Sequence, residues 1–85
     1  MTDLTDLERQ ILDFEASGWW RYLDAKESAV FSEFGMSATR YYMVLNSLID
    51  RPEAMAYDPM VVKRLQRLRE ARRRRRASVA ATFAE

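Results

Sequence analysis

The most chemically suggestive residues are basic side chains concentrated near one end of the chain. They comprise the five consecutive arginines Arg72, Arg73, Arg74, Arg75 and Arg76, preceded by Lys63, Arg64 and Arg67. Guanidinium and ammonium groups at this density contact phosphates in a sequence-independent, salt-sensitive way. The pattern predicts that this end of the chain binds a polyanion. DNA and RNA both remain open, since arginine-rich helices also bind RNA.

A second set of candidate residues lies on a predicted helix that begins after Ser37. A preceding helix and the Gly35 turn would complete a helix-turn-helix at roughly residues 24–50. In such a motif the second helix enters the major groove, where Arg suits guanine and Asn suits adenine. The predicted contact residues on it are Ser37, Thr39, Arg40, Tyr42, Met43 and Asn46.

Other kinds of chemistry have little support in the composition. The chain has no His and no Cys, which excludes the usual zinc sites and nucleophilic dyads. It also has no glycine-rich phosphate loop and no acidic pair in an evident pocket. We therefore expect no catalysis, no metal and no cofactor.

The formal net charge of +1 hides a strong asymmetry along the chain. Residues 1–50 carry four basic and nine acidic side chains, a sum of −5, and residues 51–85 carry ten basic and four acidic ones, a sum of +6. An acidic first half opposes binding of a polyanion to the predicted motif. We therefore expect the basic last helix to supply most of the affinity.

Apolar spacing and capping residues predict an all-α bundle of about four helices that positions these groups. A Thr5–Glu8 capping box begins the first helix and Gly18 ends it. The second helix starts near Asp24 with Glu27 as the partner of its cap, and it ends at Gly35. Ser37 caps the third helix, which runs to about residue 49.

The last helix begins at Asp58, with Pro59 at the first helical position. A short connector containing Ala54, Met55 and Tyr57, with room for a turn of helix, precedes it. Mutual repulsion among the arginines predicts fraying beyond Leu68. We therefore divide the chain into a helical domain at 1–71 and a basic, partly disordered extension at 72–85.

The expected core consists of apolar side chains at helical spacing. These are Leu7, Ile11, Phe14, Val30, Phe31, Phe34, Tyr41, Val44, Leu45, Leu48, Val61, Leu65 and Leu68, with the aromatic cluster Trp19, Trp20 and Tyr22 closing it or touching a partner. Phe31 stands four residues before Gly35, where such motifs usually have a small residue. Either the two helices cross more widely than usual or Phe31 points elsewhere.

The runs FGMSATRYYMVLNSL (34–48), WWRY (19–22) and DPMVVKRLQRLR (58–69) resemble an actinobacterial and actinophage family, domain-of-unknown-function family 3263. The resemblance covers about residues 4–76. It implies a small helix-turn-helix protein similar to the promoter-binding region 4 of sigma factors, in a mycobacterial or phage setting. It implies no substrate.

Together these features predict a double-stranded-DNA-binding transcriptional regulator or small nucleoid protein, located in the cytoplasm and without a membrane segment. The alternative is an interaction module that docks on RNA polymerase or a sigma factor, favoured by the acidic half and the aromatic cluster. A homodimer is a third prediction, in which Val61, Leu65 and Leu68 pair with a second copy unless they pack within the chain.

Overall fold

Capping residues set most of the helix boundaries. The structure is a computed structural model that describes residues 3–18, 21 and 25–83. In these residues five helices follow one another and no strand occurs. They are α1 (Asp6–Ser17), α2 (Lys26–Phe34), α3 (Ala38–Leu48), α4 (Pro52–Tyr57) and α5 (Pro59–Phe83). The predicted all-α bundle is confirmed, with the connector forming a short helix of its own.

The predicted caps are present wherever the residues are described. Thr5 and Glu8 form a reciprocal capping box, with Glu8 N donating to Thr5 Oγ1 at 3.1 Å. Ser37 Oγ accepts from Arg40 N at 3.2 Å, and Asp58 Oδ1 accepts from Val61 N at 3.2 Å. The cap predicted at Asp24 lies outside the described residues. Ala25 is the N-cap of α2 and makes no side-chain cap bond.

Gly35 joins α2 to α3 in a left-handed conformation, with a φ of 66°. Its amide donates to the Phe31 carbonyl oxygen at 2.8 Å, which ends α2, and Ser37 then starts α3. An L side chain in this region costs about 1 kcal/mol. A Cβ here would meet no atom within 4 Å, so the cost at Gly35 is one of backbone conformation alone.

We expect Gly35→Ala to lower the free energy of unfolding by about 1 kcal/mol, and Gly35→Asn to lower it less, because Asn tolerates this region better. Urea denaturation of the three proteins measures both changes. An alanine variant as stable as the original chain would contradict the assigned turn.

All five helices contribute to the core. Its buried apolar residues are Leu4, Ile11, Leu12, Phe14, Ala29, Val30, Tyr41, Leu45, Leu48, Ile49, Ala54, Val61, Val62 and Leu65. The Phe14 and Phe34 rings meet edge to face at 5.4 Å, and Phe34 stacks on Tyr41 at 5.8 Å. Such ring pairs add about 1 kcal/mol each beyond the area they bury. This aromatic group ties α1 to α2 and α3.

Three expectations about the core need correction or completion. Leu7 was expected inside but is exposed, although Ile11, four residues further along the same face of α1, is buried. Leu68 is also exposed, whereas Val61 and Leu65 pack within the chain. Phe31, expected on the apolar face of α2, is instead 68% exposed and points into solvent. The predicted roles of Trp19, Trp20 and Tyr22 lie outside the described residues.

The last helix continues through the arginine run and ends at Phe83. Its first half contributes Val61, Val62 and Leu65 to the core, and its side chains from Arg72 to Ser78 are exposed. The division of the chain at residue 71 stays a prediction. In the part of the chain that the structure describes, no helix is long and apolar enough to cross a membrane.

Candidate nucleic-acid interface

The outer face of α3 carries most of the side chains predicted to touch bases. Ser37, Thr39, Arg40 and Asn46 are exposed, and Met43 is 67% exposed. Exposure at these positions follows from the inward stripe of Tyr41, Leu45 and Leu48. We call Thr39, Arg40, Met43 and Asn46 the α3 outer face.

Tyr42 does not belong to the α3 outer face, although it was predicted to point outward with the others. It is half buried and its ring lies 5.5 Å from that of Tyr41. The ammonium of Lys26 sits 5.0 Å above its centre, a cation–π geometry. Tyr42 therefore turns toward the side of the bundle where α5 passes.

The basic residues of α5 divide into two groups. Lys63 and Arg67 are exposed. Arg64 is half buried, and its Nη2 donates to the backbone carbonyl of Glu15 at 2.8 Å. Its Nε is buried and has no hydrogen-bond partner among the described residues. Arg64 thus links α5 to α1, so it is less available for the predicted phosphate contact than the exposed Lys63 and Arg67.

The run Arg72–Arg76 forms an exposed cationic rod. Successive residues of an α-helix point about 100° apart, so five in a row cover every side of the helix. Arg74 lies 3.7 Å from Glu70. Within the described chain, no ion pair involves Arg72, Arg73, Arg75 or Arg76. The positive charge of this rod is therefore largely uncompensated.

A buried ionic network, absent from the predictions, holds the bundle together behind this surface. Glu15 is only 1% exposed, and its carboxylate lies 2.9 Å from the Lys26 ammonium. The Tyr41 hydroxyl donates to the same carboxylate at 2.5 Å. Burial, together with the Glu15 charge, raises the pKa of Tyr41 far above its usual value. The network joins α1, α2 and α3.

Other basic residues neutralise part of the acidic half. Arg51 pairs with Glu8, whose pKa is lowered mainly by the Thr5 backbone amide and also by Arg51. Arg69 forms two hydrogen bonds to the Asp50 carboxylate, at 2.7 and 3.0 Å, and these lower the pKa of Asp50. The charge of −5 in residues 1–50 therefore overstates the field that a polyanion would meet, although Glu27 and Glu33 on α2 stay exposed.

A groove of about 200 Å³ separates α3 from the middle of α5. We call it the α3–α5 groove. The apolar side chains of Leu45 and Leu65 contribute to its lining. Four basic residues also line it: Arg21, Lys26, Arg69 and Arg72. It lies beside Asn46, so it adjoins the α3 outer face.

The described residues contain no group of three His, Cys, Asp or Glu side chains placed to hold a metal ion. The buried carboxylate of Glu15 is engaged by Lys26 and Tyr41. What the geometry presents is an exposed helix face, an uncompensated arginine rod and a basic groove between them. Of these, sequence reasoning missed the groove, because it depends on how α5 crosses α3.

Comparison with models of known protein families gives a match over most of the chain. Residues 3–77 fit the model of the family described as Protein of unknown function (DUF3263), so the chain belongs to this family. No curated protein and no solved structure matches it.

Proposed function

For this member of the DUF3263 family, we propose double-stranded DNA binding, in which the arginine rod of α5 contacts the phosphate backbone and the α3 outer face points into the major groove. One observation carries the proposal. Among the described residues, Arg72, Arg73, Arg75 and Arg76 are exposed and form no ion pair. Uncompensated arginines at this density favour a polyanion as the partner.

The link between α2 and α3 supports the helix-turn-helix interpretation. Two short helices are connected by Gly35, Met36 and Ser37, and the side chains that follow the turn are exposed. On this arrangement Arg40 donates to a guanine edge and Asn46 pairs with adenine. Met43 offers an apolar contact for a thymine methyl.

The charges of the α3 outer face and of the arginine rod on α5 indicate different contributions to binding. The α3 outer face carries a single cation, Arg40, and the exposed carboxylates of Glu27 and Glu33 lie on the neighbouring α2. The rod on α5 carries five cations. Most of the affinity then comes from α5, and any sequence preference comes from α3. This supports either a transcriptional regulator or a nucleoid protein that coats DNA.

The test is titration of a fluorescent random-sequence duplex with the full chain at about 50 and about 200 mM salt. If four or five phosphates are contacted, the affinity falls by roughly two to three orders of magnitude between these concentrations. The absence of duplex binding at the lower salt would refute the proposal, and a flat salt response would refute the role of the rod.

A second candidate function is docking on RNA polymerase or a sigma factor. The observation that favours it is Phe31, which is 68% exposed and lies one helical turn from Glu27. Exposed aromatic side chains are enriched at protein interfaces. Binding to purified RNA polymerase that is lost in Phe31→Ser and kept in Arg40→Ala would support this function. Duplex binding weakened only by Arg40→Ala would instead support the first.

A further inference from the structure

The α3–α5 groove begins where the residues on the inward side of α5 change from apolar to basic. Leu65, Arg69 and Arg72 follow one another at helical spacing, so they share the side of α5 that faces α3. Leu65 is buried in the core, Arg69 is half buried and Arg72 is exposed. Along this one side the helix thus passes from apolar to cationic residues, and both cations line the groove.

Arg69 is held in a geometry suited to a two-oxygen anion. Both terminal nitrogens of its guanidinium donate to the Asp50 carboxylate, at 2.7 and 3.0 Å. One of them also donates to the Asn46 carbonyl at 3.3 Å, which anchors the side chain independently of Asp50. A phosphate presents the same pair of oxygens to an arginine fork as a carboxylate does.

The Asp50 carboxylate accepts the hydrogen bonds of the Arg69 guanidinium from the solvent side. The side chain of Asp50 is 57% exposed, whereas that of Arg69 is 23% exposed. Because the Asp50 carboxylate is exposed to solvent and carries one negative charge, an anion with a higher charge can compete with it for Arg69. Arg69 would keep its place, because Asn46 and the groove wall still hold it.

Arg72 supplies a second positive charge for an anion bound in the groove. It lies three residues after Arg69, lines the same groove and pairs with no acid among the described residues. An anion bound to Arg69 therefore comes within reach of Arg72. Lys26 is already paired with Glu15, whereas Arg69 and Arg72 lie three residues apart on α5 and line the groove together, so one anion can contact both.

We propose that the α3–α5 groove is a phosphate-binding site, in which Arg69 and Arg72 hold the phosphate oxygens once the Asp50 carboxylate is displaced. The phosphate belongs either to the backbone of a bound duplex or to a free phosphorylated molecule. The first source rests on the proposed function and fixes how a duplex lies against Asn46. The second is independent of DNA binding.

The test pairs two substitutions with opposite expected effects. Inorganic pyrophosphate is titrated calorimetrically into the full chain, and the same variants are titrated with the fluorescent duplex. Arg72→Gln is expected to raise the dissociation constant about tenfold, which corresponds to about 1.4 kcal/mol. Asp50→Asn is expected to lower it several-fold, because the internal competitor for Arg69 is gone.

Each variant has a control with the same change of charge on α1. Arg9→Gln removes a cation, and Asp6→Asn removes a carboxylate, from a pair that is remote in sequence from the groove residues. Circular dichroism checks that all four variants are folded. The controls are expected to change each dissociation constant less than twofold.

The outcomes distinguish a backbone phosphate from a free phosphorylated ligand. They also distinguish failure of the proposed DNA binding from failure of the groove site. Opposed changes in the pyrophosphate titration identify a free phosphorylated ligand. Opposed changes with the duplex alone identify a backbone phosphate. If the original chain binds no duplex but the pyrophosphate changes appear, the proposed function fails and the groove site stands. If Arg72→Gln and Asp50→Asn match their controls in both titrations, the groove site is refuted.

Discussion

Replacing Lys26 by Met is expected to lower the free energy of unfolding by about 3 kcal/mol, because it removes the ion-pair partner of the buried Glu15 carboxylate. Glu15 is 1% exposed, and Lys26 is its ion-pair partner at 2.9 Å. The hydrogen bond from Tyr41 remains but does not neutralise the charge. Urea denaturation at neutral pH, followed by circular dichroism, measures the change.

Two further variants test whether the buried Glu15 charge causes the loss of stability. Lys26→Met combined with Glu15→Gln removes both charges and keeps an acceptor for Tyr41, so we expect most of the lost stability to return. Arg9→Met breaks the exposed pair with Asp6 and is expected to cost less than about 1 kcal/mol. A Lys26→Met protein as stable as Arg9→Met would show that the Glu15 charge does not depend on Lys26.

The largest expected effect on binding comes from changing all five arginines of the rod, Arg72 to Arg76, to Gln. Each phosphate contact adds about 0.9 to the slope of log affinity against log salt. Losing four or five contacts should lower that slope by about four and weaken duplex binding at low salt by two orders of magnitude or more. The measurement is the duplex titration at several salt concentrations.

Replacing the same five arginines by Lys is the matched control, because it preserves the charge and removes the planar, two-pronged hydrogen bonding of arginine. We expect this variant to keep most of the salt slope. Equal losses in the Lys and Gln variants would mean that the rod acts through specific arginine geometry. An unchanged slope in the Gln variant would place the phosphate contacts elsewhere on the chain.

Local signals in the sequence predicted the elements well. Thr5 with Glu8, Ser37 and Asp58 each start a helix where their side chains accept backbone amides. Gly35 ends α2 with a positive φ. These signals act over three or four residues, so they can be read without knowing the tertiary structure.

The features that the sequence did not reveal depend on contacts between distant residues. Glu15 is bonded by Lys26, Tyr41 and Arg64, which lie 11, 26 and 49 positions away along the chain. A charged residue inside α1 suggests an exposed side until its partners are known. Arg64 was predicted as a phosphate contact for the same reason, since nothing local separates it from Lys63.

The candidate site was predictable in part: the exposed residues of α3 were predicted, and the groove was not. Helical periodicity placed Thr39, Arg40, Met43 and Asn46 on the exterior, and each is exposed. Tyr42 adjoins this face and was wrongly expected to share it, because its burial depends on Lys26 and Tyr41 packing around the ring. The α3–α5 groove requires the path of α5 across α3, which no pattern within either helix specifies.

The two halves of α5 should also differ in how fast their backbone amides exchange hydrogen with water. Near Val62 and Leu65 the helix is locked into the core, so those amides exchange only when the whole bundle unfolds. From Arg72 to Ser78 exposed side chains surround the backbone, and local opening is enough. A bound polyanion would relieve the repulsion among the arginines, so slower exchange in this half would act as a direct signal of occupancy.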